Sequence, residues 1–258
     1  MLRLARLPAA PRLSHPAAAV ACCRRLSTAP KRTLTLEEAM TSSHAVINAL
    51  SSPAAVQQLQ SFRGVPDLLT KWQQTNAMLV QATMHVIPQV GFNPDFVGLQ
   101  NYTEAFAEQV RDGEPETRQV LQGLNQQKWG VLLKHAFDCE PAPPMPLGAA
   151  RELAIATVDA LQDPKLLKDM ADARTGLGAR MSDQERHSLV ARALVGVQKD
   201  VMASKGFAGD AGFAQANVCL MEHAGDAVVT ASVASATNAL YARAGINLQE
   251  VMQQAAQQ

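Results

Sequence analysis

The sequence predicts an all-α protein, a helical bundle or array made of two similar halves. Three observations predict it. Apolar residues recur at helical spacing from about residue 35 onward, helix-capping residues stand in front of several of those stretches, and the strict alternation of a half-buried strand is nearly absent.

Thr35-Leu36-Glu37-Glu38 has capping-box spacing, with Thr35 placed to accept from the backbone of Glu38, and a helix follows to about Ser51. Ser52-Pro53 reads as an N-cap with proline at the first helical position, where its missing N–H costs nothing. Val65-Pro66-Asp67 opens a longer helix whose apolar side holds Leu68, Leu69, Trp72, Leu79, Val80, Thr83 and Ile87. Pro88 ends or kinks it, and Gly91-Phe92-Asn93-Pro94 is a turn. Helices are predicted over 95–111 and 115–137, the second with Val120, Leu121, Leu124, Val131 and Leu132 on one side. Pro141, Pro143, Pro144 and Pro146 exclude a helix between Glu140 and Leu147 and mark a boundary at 141–148.

Beyond that boundary Ala149–Leu161 is helical, and Asp163-Pro164 repeats the cap-plus-proline start. Ser182-Asp183-Gln184-Glu185 is a second capping box, heading a helix with Leu189, Val190, Ala193, Leu194, Val197 and Val201 on one stripe. Gly206 and Gly209 break it as a C-cap and a new start. Helices near 211–223, 226–243 and 247–256 complete the chain. The small residues of Ala227–Ala242 suit a helix that another helix approaches closely. That stretch is too short to span a bilayer, and no run reaches the ~18 apolar residues a span requires.

Residues 1–36 have a different character. They carry Arg3, Arg6, Arg12, Arg24, Arg25, Lys31 and Arg32 and no acid, with Leu2, Leu4, Leu7 and Leu13 interspersed and hydroxyls at Ser14, Ser27 and Thr28. An arginine-rich, acid-free, amphipathic start predicts a mitochondrial presequence. Arg24-Arg25-Leu26-Ser27 places an arginine two positions before a cut after Leu26, so residues 1–26 are expected to be a cleaved targeting peptide. A basic arm for nucleic acid or anionic lipid, and plastid import, are the alternatives.

Removal of residues 1–26 takes five arginines and no acids from a chain of 23 basic and 23 acidic residues, leaving 18 against 23, formally −5. A mildly acidic chain without a basic stripe argues against binding nucleic acid by its phosphates. Cys22 and Cys23 leave with the presequence. Cys139 and Cys219 remain, and a reducing matrix makes them free thiols rather than a disulfide.

The two halves echo each other. Residues 45–59, AVINALSSPAAVQQL, align without gaps on residues 156–170, ATVDALQDPKLLKDM. Further on, Gly91-Phe92 and Gly206-Phe207 end the long helix of each half, Val80-Gln81 and Val197-Gln198 precede them, and Asp95 and Asp210 follow. The domains expected are 35–140 and 149–258, joined by the proline-rich 141–148. Each half resembles the small helical family known as protein C-ten, on the helix before a proline turn (Val46–Pro53, Val158–Pro164) and the long helix running into Gly-Phe. In the first half the resemblance continues through Leu133–Phe137 to Pro144-Met145. It implies a helical, non-enzymatic module and carries no catalytic residue onto this chain.

Candidate chemistry is sparse. His135 and Cys139, and Cys219 and His223, stand four apart on predicted helices, and one pair from each half would complete a tetrahedral zinc site. Burial of the cysteines as small apolar side chains is the commoner use of such residues. Gly176-Leu177-Gly178 beside Arg174 and Arg180 has phosphate-loop composition but no preceding strand, so a loop between helices is the better reading. His44, His85 and His187 are isolated on helices, Trp72 and Trp129 read as core or interface anchors, and the Gln-rich tail from Gln249 to Gln258 reads as a fraying helix or contact arm. No catalytic, cofactor-binding or metal residue is assigned, and no cofactor is expected.

These readings predict a non-catalytic accessory subunit of a mitochondrial oxidative-phosphorylation complex, an ATP synthase or respiratory complex. Its partners would be other subunits, and it would lie peripherally on the matrix side of the inner membrane without a transmembrane span. A helical-repeat RNA-binding or ribosome-associated protein is one alternative, although neither a 34–36-residue period nor a basic concave face is found. A small-ligand-binding helical protein or enzyme is the other.

Overall fold

The computed structural model describes residues 32–175 and 181–247. The targeting segment 1–26, the loop Gly176–Gly178 with Arg180, and the last predicted helix with its Gln-rich tail from Gln249 lie outside the described residues. Among the described residues there are ten α-helices and no strand. The first five are α1 (Leu36–Leu50), α2 (Pro53–Ser61), α3 (Leu68–Val86), α4 (Phe96–Asp112) and α5 (Pro115–Leu132). The second five are α6 (Leu147–Leu161), α7 (Pro164–Asp172), α8 (Asp183–Ser204), α9 (Gly209–Glu222) and α10 (Ala227–Arg243).

The caps form as their spacing predicts. Thr35 Oγ1 accepts from Glu38 N while the Glu38 carboxylate accepts from Thr35 N, and Ser182 and Glu185 do the same for α8. Ser52 and Asp163 cap α2 and α7, each with proline in the first turn. Pro88 does not interrupt a continuing helix; it sits in a 3-10 turn, Ile87–Val90, that hands α3 over to a left-handed Gly91 at φ +77°. Gly206 does the same for α8 at φ +95°. In both turns the Gly-Phe amide folds back: Phe92 N donates to Ile87 O at 3.1 Å and Phe207 N to Met202 O at 2.9 Å. The end of α5 instead widens into a π-turn, Leu133–Phe137, closed by Asp138 in the left-handed region. Arg63 secures that turn, donating to the carbonyls of Lys134 and His135 and pairing with Asp138 at 2.8 Å.

The first two helices of each half correspond in length and burial. α1 and α6 are both 15 residues and α2 and α7 both 9, with Leu36 matching Leu147 and Pro53 matching Pro164. The buried set of α1, Ala39, Ser42, Ser43, Val46 and Leu50, falls position for position on that of α6, Ala150, Leu153, Ala154, Thr157 and Leu161. In α2 and α7 the matching buried residues are Leu59 and Met170. α1 packs on α3 and α5, and α6 on α8 and α10. The α6–α10 contact is the most extensive pair, as the small residues of α10 permit. A stacked ring pair links the third helix to the fifth in each half: Trp72 on Trp129 at 5.7 Å and His187 on Tyr241 at 5.4 Å.

One core cluster nevertheless runs through both halves. Trp72 and Trp129, with Phe137 at 6.1 Å and Phe213 of α9 at 5.8 Å, form its aromatic centre, and Leu50, Leu132, Leu133, Leu153, Met202 and Ala214 surround it. The proline-rich segment is laid along α9 rather than spanning a gap. Gln215 Nε2 donates to Glu140 O at 2.6 Å, and Met145 is buried.

Two apolar stripes differ from their sequence reading. Val120 is exposed, and the buried face of α5 is Leu121, Leu124, Lys128, Trp129 and Leu132. In α3 the buried face rotates to take in Lys71, Thr75, Asn76 and Met78, leaving Leu79 and Val80 half-buried. The reason is that Thr75 and Asn76 satisfy their polar atoms locally, on the carbonyls of Lys71 and Trp72 four residues back, and so tolerate burial.

Glycines report on how tightly each helix is seated. A Cβ at Gly98 would stand 2.0 Å from the carbonyl oxygen of Asn93, so Gly98→Ala is expected to cost about 1–3 kcal/mol by displacing the start of α4. Gly123 and Gly196 have open space around them inside α5 and α8, and alanine there is expected to stabilise by about 0.5–1 kcal/mol. Urea unfolding of the three variants checks both signs.

Candidate functional site

Polar chemistry gathers in two places inside the helices. The first is the seam between halves. Lys71 of α3, only 7% exposed, places its ammonium 3.0 Å from Asp210 at the start of α9, and Lys199 of α8 reaches the other carboxylate oxygen at 2.9 Å. The ring of Phe137 lies 5.6 Å from the Lys71 ammonium. Burial pulls the Asp210 carboxyl upward, but hydrogen bonds and charge from Lys199 and Lys71 outweigh it and hold the group below its ordinary value. Asp67, the N-cap of α3, also faces Arg192 of α8 at 3.7 Å. The seam is thus closed by ion pairs next to the aromatic centre.

The second lies wholly in the first half, where α1, α4 and α5 meet. Ser42 and Ser43 of α1 are buried, and so is Tyr102 of α4. Ser42 Oγ spends its hydrogen on the Glu38 carbonyl at 2.7 Å, so Tyr102 Oη donates to it across 3.0 Å. Lys128 of α5, 8% exposed, donates to Ser43 Oγ at 3.4 Å and stands 4.6 Å above the ring of Phe106. Burial alone pushes its pKa down to about 8. Nothing in the sequence pattern marked these four residues, because serine, tyrosine and lysine on amphipathic helices are ordinarily placed at the surface.

The residues singled out from sequence are held by structure. Cys219 Sγ faces Pro143 O at 3.7 Å, and His223 Nε2 lies 2.7 Å from Met145 O, where the ring must donate because a carbonyl only accepts. His135 sits in the π-turn and Cys139 just after it. Both cysteines are free; burial raises the Cys219 thiol, and burial with Glu140 and Asp138 pushes Cys139 up to about 11. Among the described residues no three His, Cys, Asp or Glu side chains converge as metal ligands. Arg174 lies against Gly245 at the end of α10. His44 and His85 are exposed, whereas His187 stacks on Tyr241. Among the described residues no helix is long and apolar enough to cross a membrane. No known protein family, curated protein or solved structure matches the chain.

Proposed function

We propose that the chain is a non-catalytic accessory subunit of a mitochondrial oxidative-phosphorylation complex, bound peripherally on the matrix side of the inner membrane, and that its two halves descend from a duplicated five-helix module. The observation that carries this reading is the matched use of the two halves. The buried positions of their first two helices coincide, and so does one exposed apolar position: Leu36 is 37% exposed and its counterpart Leu147 is 38% exposed. Ile155 and Val97 add further apolar surface. Apolar side chains left in solvent on helices that are otherwise well packed are suited to making protein contacts. The arginine-rich, acid-free residues 1–26 supply the address.

The test is native-gel or gradient fractionation of mitochondria followed by mass spectrometry. Co-migration with an ATP synthase or a respiratory complex is expected, with release by a carbonate wash. Migration as a free monomer sinks the reading. Double substitution of Leu36 and Leu147 by aspartate is expected to shift the protein to the free fraction with its helical content unchanged, as circular dichroism checks.

A further inference from the structure

The internal match between halves identifies which buried groups the fold does without. At the positions corresponding to Ser42, Ser43 and Lys128, the second half carries Leu153, Ala154 and Leu240, all buried and apolar. Apolar side chains fill these three places in the second half, while the residue matching Tyr102 is the buried Asn217, which bonds within its own helix to Phe213 O. The polar cluster of the first half also helps to hold α4, together with the Phe92 ring on Tyr102 and the bond from Gln109 Nε2 to Leu34 O. Tyr102 joins α4 to Ser42 of α1, Lys128 joins α5 to Ser43 of α1, and Phe106 of α4 covers the Lys128 nitrogen. Beyond this, α4 packs chiefly on α5, α3 and the turn after α3, and it carries exposed Phe96 and Val97 at its start.

We infer that the Ser42–Ser43–Tyr102–Lys128 cluster is a proton-operated latch, closed when the Lys128 amine is neutral and loosened when it is an ammonium, which controls how firmly α4 is held on α1 and α5. A neutral amine is satisfied by the Ser43 hydroxyl, whereas the face of Phe106 attracts an ammonium but returns less than the water it gives up on burial. Among the described residues no carboxylate pairs with an ammonium in that place to replace water. The groups facing it are few: α1 contributes two serines, and α4 contributes Phe106 and the Tyr102 phenol, which burial raises above its ordinary range. Glu38 of α1 is engaged by Thr35 and Arg32, and Glu104 of α4 by Gln100.

The sign follows from linkage. In an opened form Lys128 is solvated and keeps its proton up to its ordinary 10.5, whereas in the closed form it loses the proton near 8. The closed form therefore gains stability as pH rises through 8 and loses it as pH falls. One proton shifted in this way changes the opening equilibrium about tenfold between pH 7 and pH 9.

Amide hydrogen exchange followed by mass spectrometry tests this, with rates corrected for the intrinsic pH dependence of exchange. Protection across α4 is expected to rise about tenfold from pH 7 to pH 9, while α6 to α10 stay level. Lys128→Met is expected to flatten the α4 profile and raise protection at pH 7. Lys128→Leu, which installs the residue found at the matching position 240, serves the same purpose if the methionine variant folds poorly. The inference is overturned if α4 protection in the unaltered chain is level, if it rises equally in every helix, or if the rise survives in a folded variant.

Discussion

Replacing Trp72 with alanine is expected to lower the unfolding free energy by about 3–5 kcal/mol, the range for removing a large buried aromatic. Trp72 is 2% exposed and touches rings from three other elements: Trp129 of α5, Phe137 of the π-turn and Phe213 of α9. The cavity would open where the two halves share their core, so the chain should lose both halves in one transition. Urea unfolding followed by far-ultraviolet circular dichroism and by the remaining Trp129 fluorescence tests this. Two separated transitions would mean that the halves are independently stable. Trp72→Phe keeps an aromatic contact with Phe213 and is expected to cost less than half as much.

The second large effect is expected at Asp210. Asp210→Ala leaves the Lys71 ammonium buried and without its carboxylate. Removing one member of a fully buried pair costs roughly 3–5 kcal/mol, and the one-third exposure of Asp210 reduces the expected loss here to about 2–3 kcal/mol. Adding Lys71→Met to Asp210→Ala removes the stranded charge, so the double variant should recover more than half of the loss. The pH dependence has a defined sign. Asp210 is held below its ordinary value of 3.8, so its stabilisation is complete above that value and is lost as pH falls through the lowered one. Acid unfolding of the Asp210→Ala chain should accordingly show a shallower acid limb.

Helices and their starts were legible because they depend on local chemistry. Thr35-Glu38, Ser52-Pro53, Asp163-Pro164 and Ser182-Glu185 announce four helix N-termini within a few residues each, and all four form as read. Gly91 and Gly206 mark helix ends for the same reason, since a positive φ is a demand of the turn itself. The buried faces of α3 and α5 were less legible. Val120 looks like a core residue and is exposed, while Lys71 and Lys128 look like surface residues and are buried. What decides those positions lies far away in the chain, in Asp210 and Phe137 for Lys71 and in Ser43 and Phe106 for Lys128. Helical periodicity ranks residues by polarity and has no access to such partners. The four-residue Cys/His spacings likewise looked like half-sites for a metal, yet Cys219 and His223 are spent on holding the proline-rich strap.

The insertion of Phe213 beside Trp72 also sets an order of events for a chain that is synthesised from its N-terminus. Trp72, Trp129 and Phe137 would arrive first and wait for α9, whose Phe213 and Ala214 close the same core. Until the 76 residues from Asp138 to Phe213 have followed Phe137, the leading half displays an unfinished apolar surface. Such a chain gains its cooperativity late, through contacts of long sequence separation. In the interval it presents the kind of exposed surface that chaperones recognise.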